Sequence, residues 1–286
     1  MQGNLFEGER IIVNKLAYGA RVPMTPLSIG SSYLGLIKIP YVRLPGFSDF
    51  KRNDLIVFNF SLSDEDPIDI REEIISRIIA LPGDSLLIKN GIAEVNSQIS
   101  EPANIFLPYT IVSTAGIDSN LNIVPNKEIQ PTTYNYFTST EKAADLLKTG
   151  SVRSVSVNIL SKDESQQFIF PNNNNYKWNV DHFGPLWIPR EGDSIALTSK
   201  NIILYKSTME RFEKAIIKVK GDSVFVNDRF ASHYIFEQNY FFVMGDNRHN
   251  VIDSRTWGFI PESHIIGKVS VILYSPREGR SLSRVK

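Results

Sequence analysis

The 286-residue chain predicts a mostly β protein. Three observations carry that prediction. Short apolar, β-branched runs recur along it, as in Ile74-Ile-Ser-Arg-Ile-Ile-Ala80 and Tyr240–Met244, the pattern of buried strands. These runs end in turn residues. In Leu81-Pro-Gly-Asp84, Pro82 presets φ for the first corner and Gly83 supplies the positive φ of a type II turn; Gly245-Asp-Asn247 punctuates the later run. Helical spacing, by contrast, shows in only two segments.

In chain order, residues 5–18 read as a strand centred on Ile11, Ile12 and Val13. Residues 19–50, rich in Pro, Gly and Ser, read as a long ordered loop or flap, with Leu34–Ile37 packed on the core in preference to continuing a membrane-facing surface. Lys51-Arg-Asn-Asp54 leads into a strand at Leu55–Phe60, and Ser61–Glu73 is an acidic, solvated loop. Arg77 then interrupts an apolar strand. Its guanidinium must reach solvent or a carboxylate, because an unpaired buried charge is prohibitively costly. Ser85–Ile88 and Ile92–Val95 form a hairpin about Asn90-Gly91, the best short hairpin signal in the chain.

From about residue 98 the composition shifts towards Asn, Thr and Ser. An inserted α+β domain is expected at 98–178, leaving 1–97 and 179–286 as the core. Within the insertion, Thr140–Lys148 reads as a short helix, capped by Ser139 or Thr140 and ended by Gly150. Ser154–Leu160 and Gln167–Phe170 read as strands, and Pro171–Asn175 as a turn. Phe183–Leu197 returns to the core. A helix is expected over Asn201–Val219, a hairpin over Gly221–Phe230 and a closing strand over Ile265–Tyr274. The basic tail Ser275–Lys286 is expected to fray.

Composition narrows the function classes. Lys+Arg and Asp+Glu both total 31, so no bulk field favours nucleic acid. There is no cysteine, which excludes disulfides and thiolate metal sites. His182, His233, His249 and His264 lack metal-ligand spacing and are assigned surface or loop places. No cofactor or metal is expected. No run approaches the roughly 18–20 apolar residues of a membrane span, and no cleavable leader is visible.

Four stretches, in this order, carry a resemblance. They are Met1 with Gly8-Glu-Arg-Ile-Ile-Val-Asn-Lys-Leu-Ala-Tyr-Gly19, then Lys51–Phe58, then Arg77–Asp84, then Gly245-Asp-Asn-Arg-His-Asn-Val-Ile-Asp-Ser-Arg-Thr-Trp-Gly258. Together they resemble the bacterial type I signal peptidases. The resemblance implies a large coiled antiparallel sheet with a smaller inserted α+β domain. It also implies a Ser–Lys dyad, in which serine attacks the scissile carbonyl and a desolvated neutral lysine takes its proton. The family's serine directly precedes the methionine matching Met1. Its lysine precedes the arginine matching Arg77, and a second serine in the last motif holds the lysine amine.

This sequence departs at all three places. It begins at Met1, the lysine position is Ser76, and the lysine-holding position is Val251. A Ser76 hydroxyl cannot act as general base near neutral pH, and valine has nothing to donate. The motif residues around them are kept: Arg77, Gly83, Asp84, Gly245, Asp246, Asn247, Arg248, Asp253, Ser254 and Arg255. The resemblance implies that Arg77 pairs with Asp246, and that Ile74 and Ile75 line an extended-peptide groove. Two function classes follow. In the first, a non-catalytic homologue binds extended peptides, such as preprotein signal peptides, or a membrane partner. In the second, an active endopeptidase has its nucleophile upstream of Met1 and an unrecognised base, Lys15 and Lys51 being available. A triad of His249, Asp253 and Ser254 is weighed low, since residues so close in one loop seldom converge. The family implies the bacterial inner membrane, with this domain on its outer side and a membrane helix preceding Met1.

Overall fold

A computed structural model describes residues 1, 4–25, 39–60, 66–102, 104–114, 124–130, 133–148, 150–277 and 279–285. It is mostly β, and every pairing of named strands is antiparallel. The central sheet contains β1 (Arg10–Asn14), β2 (Leu55–Phe60) and β3 (Glu72–Ala80). From its edge it runs β1, Ile265–Tyr274, β2, β3, Tyr240–Met244 and Ile260–Pro261. Register shifts break several of these ladders. Such bulges bend strands and increase twist, as a coiled sheet requires. Residues 34–37 lie outside the described residues.

The sheet separates two apolar layers. Ile56, Phe58, Ile78, Phe241 and Val243 fill one; Leu55, Val57, Ile266, Val269 and Ile272 fill another. The alternation of neighbours such as Leu55 and Ile56 follows from the two-residue period of a strand. The largest cluster lies under a second sheet, in which Phe183–Trp187 pairs with β4 (Ser85–Lys89) and β4 with β5 (Ile92–Val95). The β4–β5 turn has Asn90 at φ 51° and Gly91 at φ 77°, the two positive φ values that a type I′ turn demands. Gly83, at φ 89°, makes the expected type II corner, with Asp84 N–H donating to Leu81 O at 3.0 Å.

Residues 106–157 carry a four-stranded sheet (Phe106–Ser113, Val124–Gln130, Thr133–Ser139 and Val152–Val157) and helix α1 (Thr140–Leu146). Ser139 caps α1, its hydroxyl accepting from Lys142 N. Leu107, Ile111, Tyr136, Ala143 and Leu146 make its own core. We propose that this segment is a unit of its own. Gln98–Ile99 pairs with β5, and Ile169 and Phe170 join the largest cluster, so these belong with the main body.

Several expectations change: the strand expected over 5–18 is only Arg10–Asn14, β3 already begins at Glu72, and the strand expected at Ser154–Leu160 is Val152–Val157. Helix α2 is Ser199–Phe212, and Ile217–Lys220 is a strand, so the helical pattern does not extend to Val219. Lys214 takes φ 58°, and Ala215 N–H donates back to Met209 O, closing the helix with a left-handed cap. Gln167–Phe170 is a turn, with Ile169 N–H on Gln166 O. Among its described residues the tail is held, where fraying was expected: Ser283–Arg284 pairs with Val271 and Ile272, and Arg280 binds Glu9 at 2.9 Å.

Candidate functional site

β3 carries both Ser76 and Arg77, and each is 1% exposed. Arg77 donates from Nε and Nη2 to the two oxygens of Asp246, at 2.8 Å each, and from Nη1 to Asn53 O at 2.7 Å. The expected pair is therefore a two-pronged one, buried on both sides. It forms because the Tyr240–Met244 strand pairs with β3 and ends at Met244↔Arg77, which delivers Asp246 within reach. Asn4 donates to the same carboxylate at 2.5 Å. Met1 packs with Leu55, Val57 and Ile75, and its nitrogen lies within electrostatic reach of Asp246, Arg77 and Asp253.

Pairing with β3 ends at Met244↔Arg77; Gly245 follows Met244 in the chain, and Ser76 precedes Arg77 on β3. A Cβ on Gly245 would stand 2.7 Å and 2.9 Å from the two Val251 methyls. Val251 thus packs on the glycine that follows Met244.

The loop from Gly245 to Arg255 is fastened from several directions. Gly245 N–H donates to Asp253, which caps the short helix α3 (Ser254–Trp257) and pairs with the buried Arg255 guanidinium at 2.8 Å. Ser254 Oγ accepts from Val243 N at 3.0 Å. Arg248, 1% exposed, donates to Gly245 O and to both oxygens of Glu101. Asn247 bridges to Phe106; Phe106 N–H donates to Asp246 O at 2.7 Å and Arg248 N–H to Phe106 O at 3.0 Å. At the other turn, Asp84 accepts from Leu81 N, Asn96 and Arg52. Burial opposes its charge, but these donors, Arg52 first, hold its carboxyl below the usual range.

The low-weighted triad is not assembled. Asp253 is engaged with Arg255, Ser254 with the backbone, and His249 Nε2 with Asp181 at 3.0 Å. His249 lies in the loop, as expected, though half-buried; His264, 3% exposed in the Glu262–His264 helical turn, is not the surface or loop histidine expected. Lys15 and Lys51 are exposed, without the desolvation a lysine base needs. Ile74 and Ile75 face opposite sides of β3, Ile74 against Phe58 and Ile78, Ile75 against Leu55 and Val57. Their side chains cannot line one groove together; what they share is backbone edge. Asn4, Glu101, Phe106 and Asp181 were not foreseen. Each lies about 68 or more residues from its partner, beyond any local pattern.

The family described as signal peptidase, peptidase S26, matches residues 1–274. The chain belongs to it. The match spans the whole site, from Met1 through β3 to the Gly245–Arg255 loop. Signal peptidase I of Aquifex aeolicus (strain VF5) is 44% identical over 66 residues, covering 21% of this chain and 26% of that protein. Signal peptidase I of Buchnera aphidicola subsp. Acyrthosiphon pisum is 26% identical over 280 residues, 96% of this chain and 65% of that protein. Its counterpart in Buchnera aphidicola subsp. Baizongia pistaciae is 26% identical over 272 residues, 95% and 66%. The chain thus spans less than two thirds of the length of these relatives. Within the matched residues the buried pairs Arg77–Asp246 and Asp253–Arg255 are formed. Among the described residues no three His, Asp or Glu side chains group as a metal site, and no helix is long and apolar enough to cross a membrane.

Proposed function

We propose that this chain is a non-catalytic signal peptidase homologue that binds extended peptides. The observation that carries the reading is that Ser76 is buried in β3 next to Arg77, while Val251 packs on Gly245, the residue after Arg77's cross-strand partner Met244. A serine hydroxyl has no basicity near neutral pH to take a proton from a nucleophile. Valine offers no hydrogen bond to orient one. The surrounding charge pairs support a maintained scaffold around an abandoned dyad.

Peptide binding has its own support. β2 pairs with β3 along Glu72–Arg77, but on the other flank the Tyr240–Met244 strand reaches only from Ala80 to Arg77. Among the described residues, the Glu72–Ser76 edge has no strand partner on that flank. An open edge offers main-chain donors and acceptors to an added strand. The proposed ligands are signal-peptide segments of preproteins or an extended segment of a membrane partner. The proposed location is the outer face of a bacterial inner membrane.

A fluorescent peptide carrying an Ala-x-Ala site tests both halves. It is expected to bind the purified chain and to be recovered at full length by mass spectrometry. Cleavage that tracks the chain overturns the non-catalytic half, and an absence of saturable binding overturns the groove.

A further inference from the structure

A cavity of about 570 Å³ is lined jointly by the segment 106–157, the residues that follow it and the Gly245–Arg255 loop. Pro108 and Phe137 contribute from the four-stranded sheet. They are cross-strand partners, so both side chains leave the same face of it. Their neighbours Leu107 and Tyr109 take the other face and fill the segment's own core. Leu160 and Phe168 line the cavity from the following stretch, and Val251 and Ile252 from the loop. The space is more than three times the roughly 150 Å³ that admits a benzene ring.

The ionic groups in this lining are already spent. Arg248 and Arg255 border the cavity but are only 1% and 2% exposed. Arg248 puts Nε on Gly245 O and both Nη atoms on Glu101. Arg255 puts Nε and Nη2 on Asp253 and Nη1 on Val180 O. Both Asp253 oxygens are filled by Arg255 and by the N–H groups of Gly245 and Arg255. His249 directs Nε2 to Asp181 at 3.0 Å. An ion entering here would lose its hydration and gain no free counter-charge. The rings behave differently. Tyr205 stacks on Phe259 at 5.7 Å, and Phe170 meets Phe259 edge-on at 5.6 Å. Phe137 and Phe168 have no ring partner among the described residues, and Phe168 is 57% exposed.

Two unmatched rings on the wall of a roomy, apolar cavity suit one class of guest. We propose that this cavity binds an uncharged aromatic group, either a free small molecule or an aromatic side chain carried by a peptide. Any apolar guest gains from burial there. An aromatic one gains further from offset or edge-on contact with Phe137 and Phe168. Gln166 supplies a polar group at the wall. Its Oε1 accepts from Val180 N at 3.0 Å, which leaves the amide NH₂ to donate to a carbonyl or hydroxyl of the guest. The inference does not depend on the Glu72–Ser76 edge.

Ligand-observed NMR titration of the full chain tests it, with N-acetyl-phenylalaninamide and its saturated analogue N-acetyl-cyclohexylalaninamide. Saturable binding of the aromatic amide is expected, about two- to twelvefold tighter than that of the saturated one. Phe168→Leu keeps bulk and removes a ring, so it should shrink that preference. Ile252→Asp places a charge on the lining and should weaken binding tenfold or more. Both positions are exposed, at 57% and 69%, so unchanged urea midpoints are expected to show that the variants fold. Phe230→Ala, a comparably exposed ring outside the cavity, should change nothing. A second arm uses the blocked peptide Gly-Gly-Phe-Gly-Gly. Peptide binding at least as tight as that of the amide, and sensitive to Ile252→Asp, assigns a peptide side chain; binding of the amide alone assigns a free molecule. No saturable binding of either compound overturns the site. So does equal affinity for the saturated analogue, or binding indifferent to both Phe168 and Ile252.

Discussion

Arg77 shows how one side chain constrains a whole motif. A guanidinium 1% exposed inside a sheet is tolerable because Asp246 meets it with both oxygens and Asn53 supplies a carbonyl. Removing one member of such a pair leaves the other charge behind in a dry site. Asp246→Ala is therefore expected to cost about 3–5 kcal/mol in urea unfolding. The exposed pair Lys89–Glu94, at 3.3 Å, gives the contrast. Glu94→Ala should lose only about 0.2–1 kcal/mol, since solvent screens that attraction. If the two variants unfold at the same urea concentration, burial is not what gives the Arg77 pair its weight.

Among the elements, the Gly245–Arg255 loop holds its shape by close packing as much as by charge. With a Cβ at Gly245 standing 2.7 Å from a Val251 methyl, Gly245→Ala alone must displace the loop. Val251→Ala alone must leave space. Together the two changes are expected to cost less than their sum, with a coupling of order 1 kcal/mol in a double-mutant cycle; strict additivity would mean the two residues do not touch. Elements with local chemistry were legible in the sequence: the Asn90-Gly91 hairpin, the Pro82-Gly83 turn, the Ser139 cap. The end of α2 was not. The cap there is Lys214 and not glycine, and Ala215, Ile216 and Ile217 prolong the apolar pattern past the true stop. At the site, a charge stranded in an apolar run left Arg77 either solvent or a carboxylate, and only the family resemblance pointed to Asp246. Nothing local announced that Glu101 would hold Arg248, 147 residues away, or that Phe106 would pair with Asn247. The opposed faces of Ile74 and Ile75 follow from strand alternation, which a motif match alone does not consult.

For the whole molecule, acid stability should bear the mark of His264. The unfolded chain protonates it near its ordinary 6.5, while burial beside Arg71, Arg21, Arg211 and Lys214 keeps the folded form neutral to lower pH. Below 6.5 the unfolded state therefore binds the extra proton, and stability falls as pH falls, by at most about 1.4 kcal/mol per pH unit. Glu213 works the other way. Burial raises its pKa above the ordinary 4.5, so its contribution is present below 4.5 and lost as pH rises. Asp84 and Glu9 have lowered values, and their contributions are lost only as pH drops from about 4. Denaturation midpoints at pH 7 and pH 5 should thus differ more for the native chain than for His264→Gln; equal differences would exclude the histidine. Among the described residues the Glu72–Ser76 edge lacks a strand partner on one flank, and this bears on solubility. An unpaired strand edge recruits other copies of the same chain, and proteins commonly guard such edges with charge. Glu72 and Glu73 are exposed at this one, so two copies meeting there bring carboxylates together. Replacing both with valine should turn this edge into a self-associating one, visible as concentration-dependent light scattering. The same two carboxylates would then set which strands the edge admits: foreign segments that tolerate or neutralise them, and not its own twin.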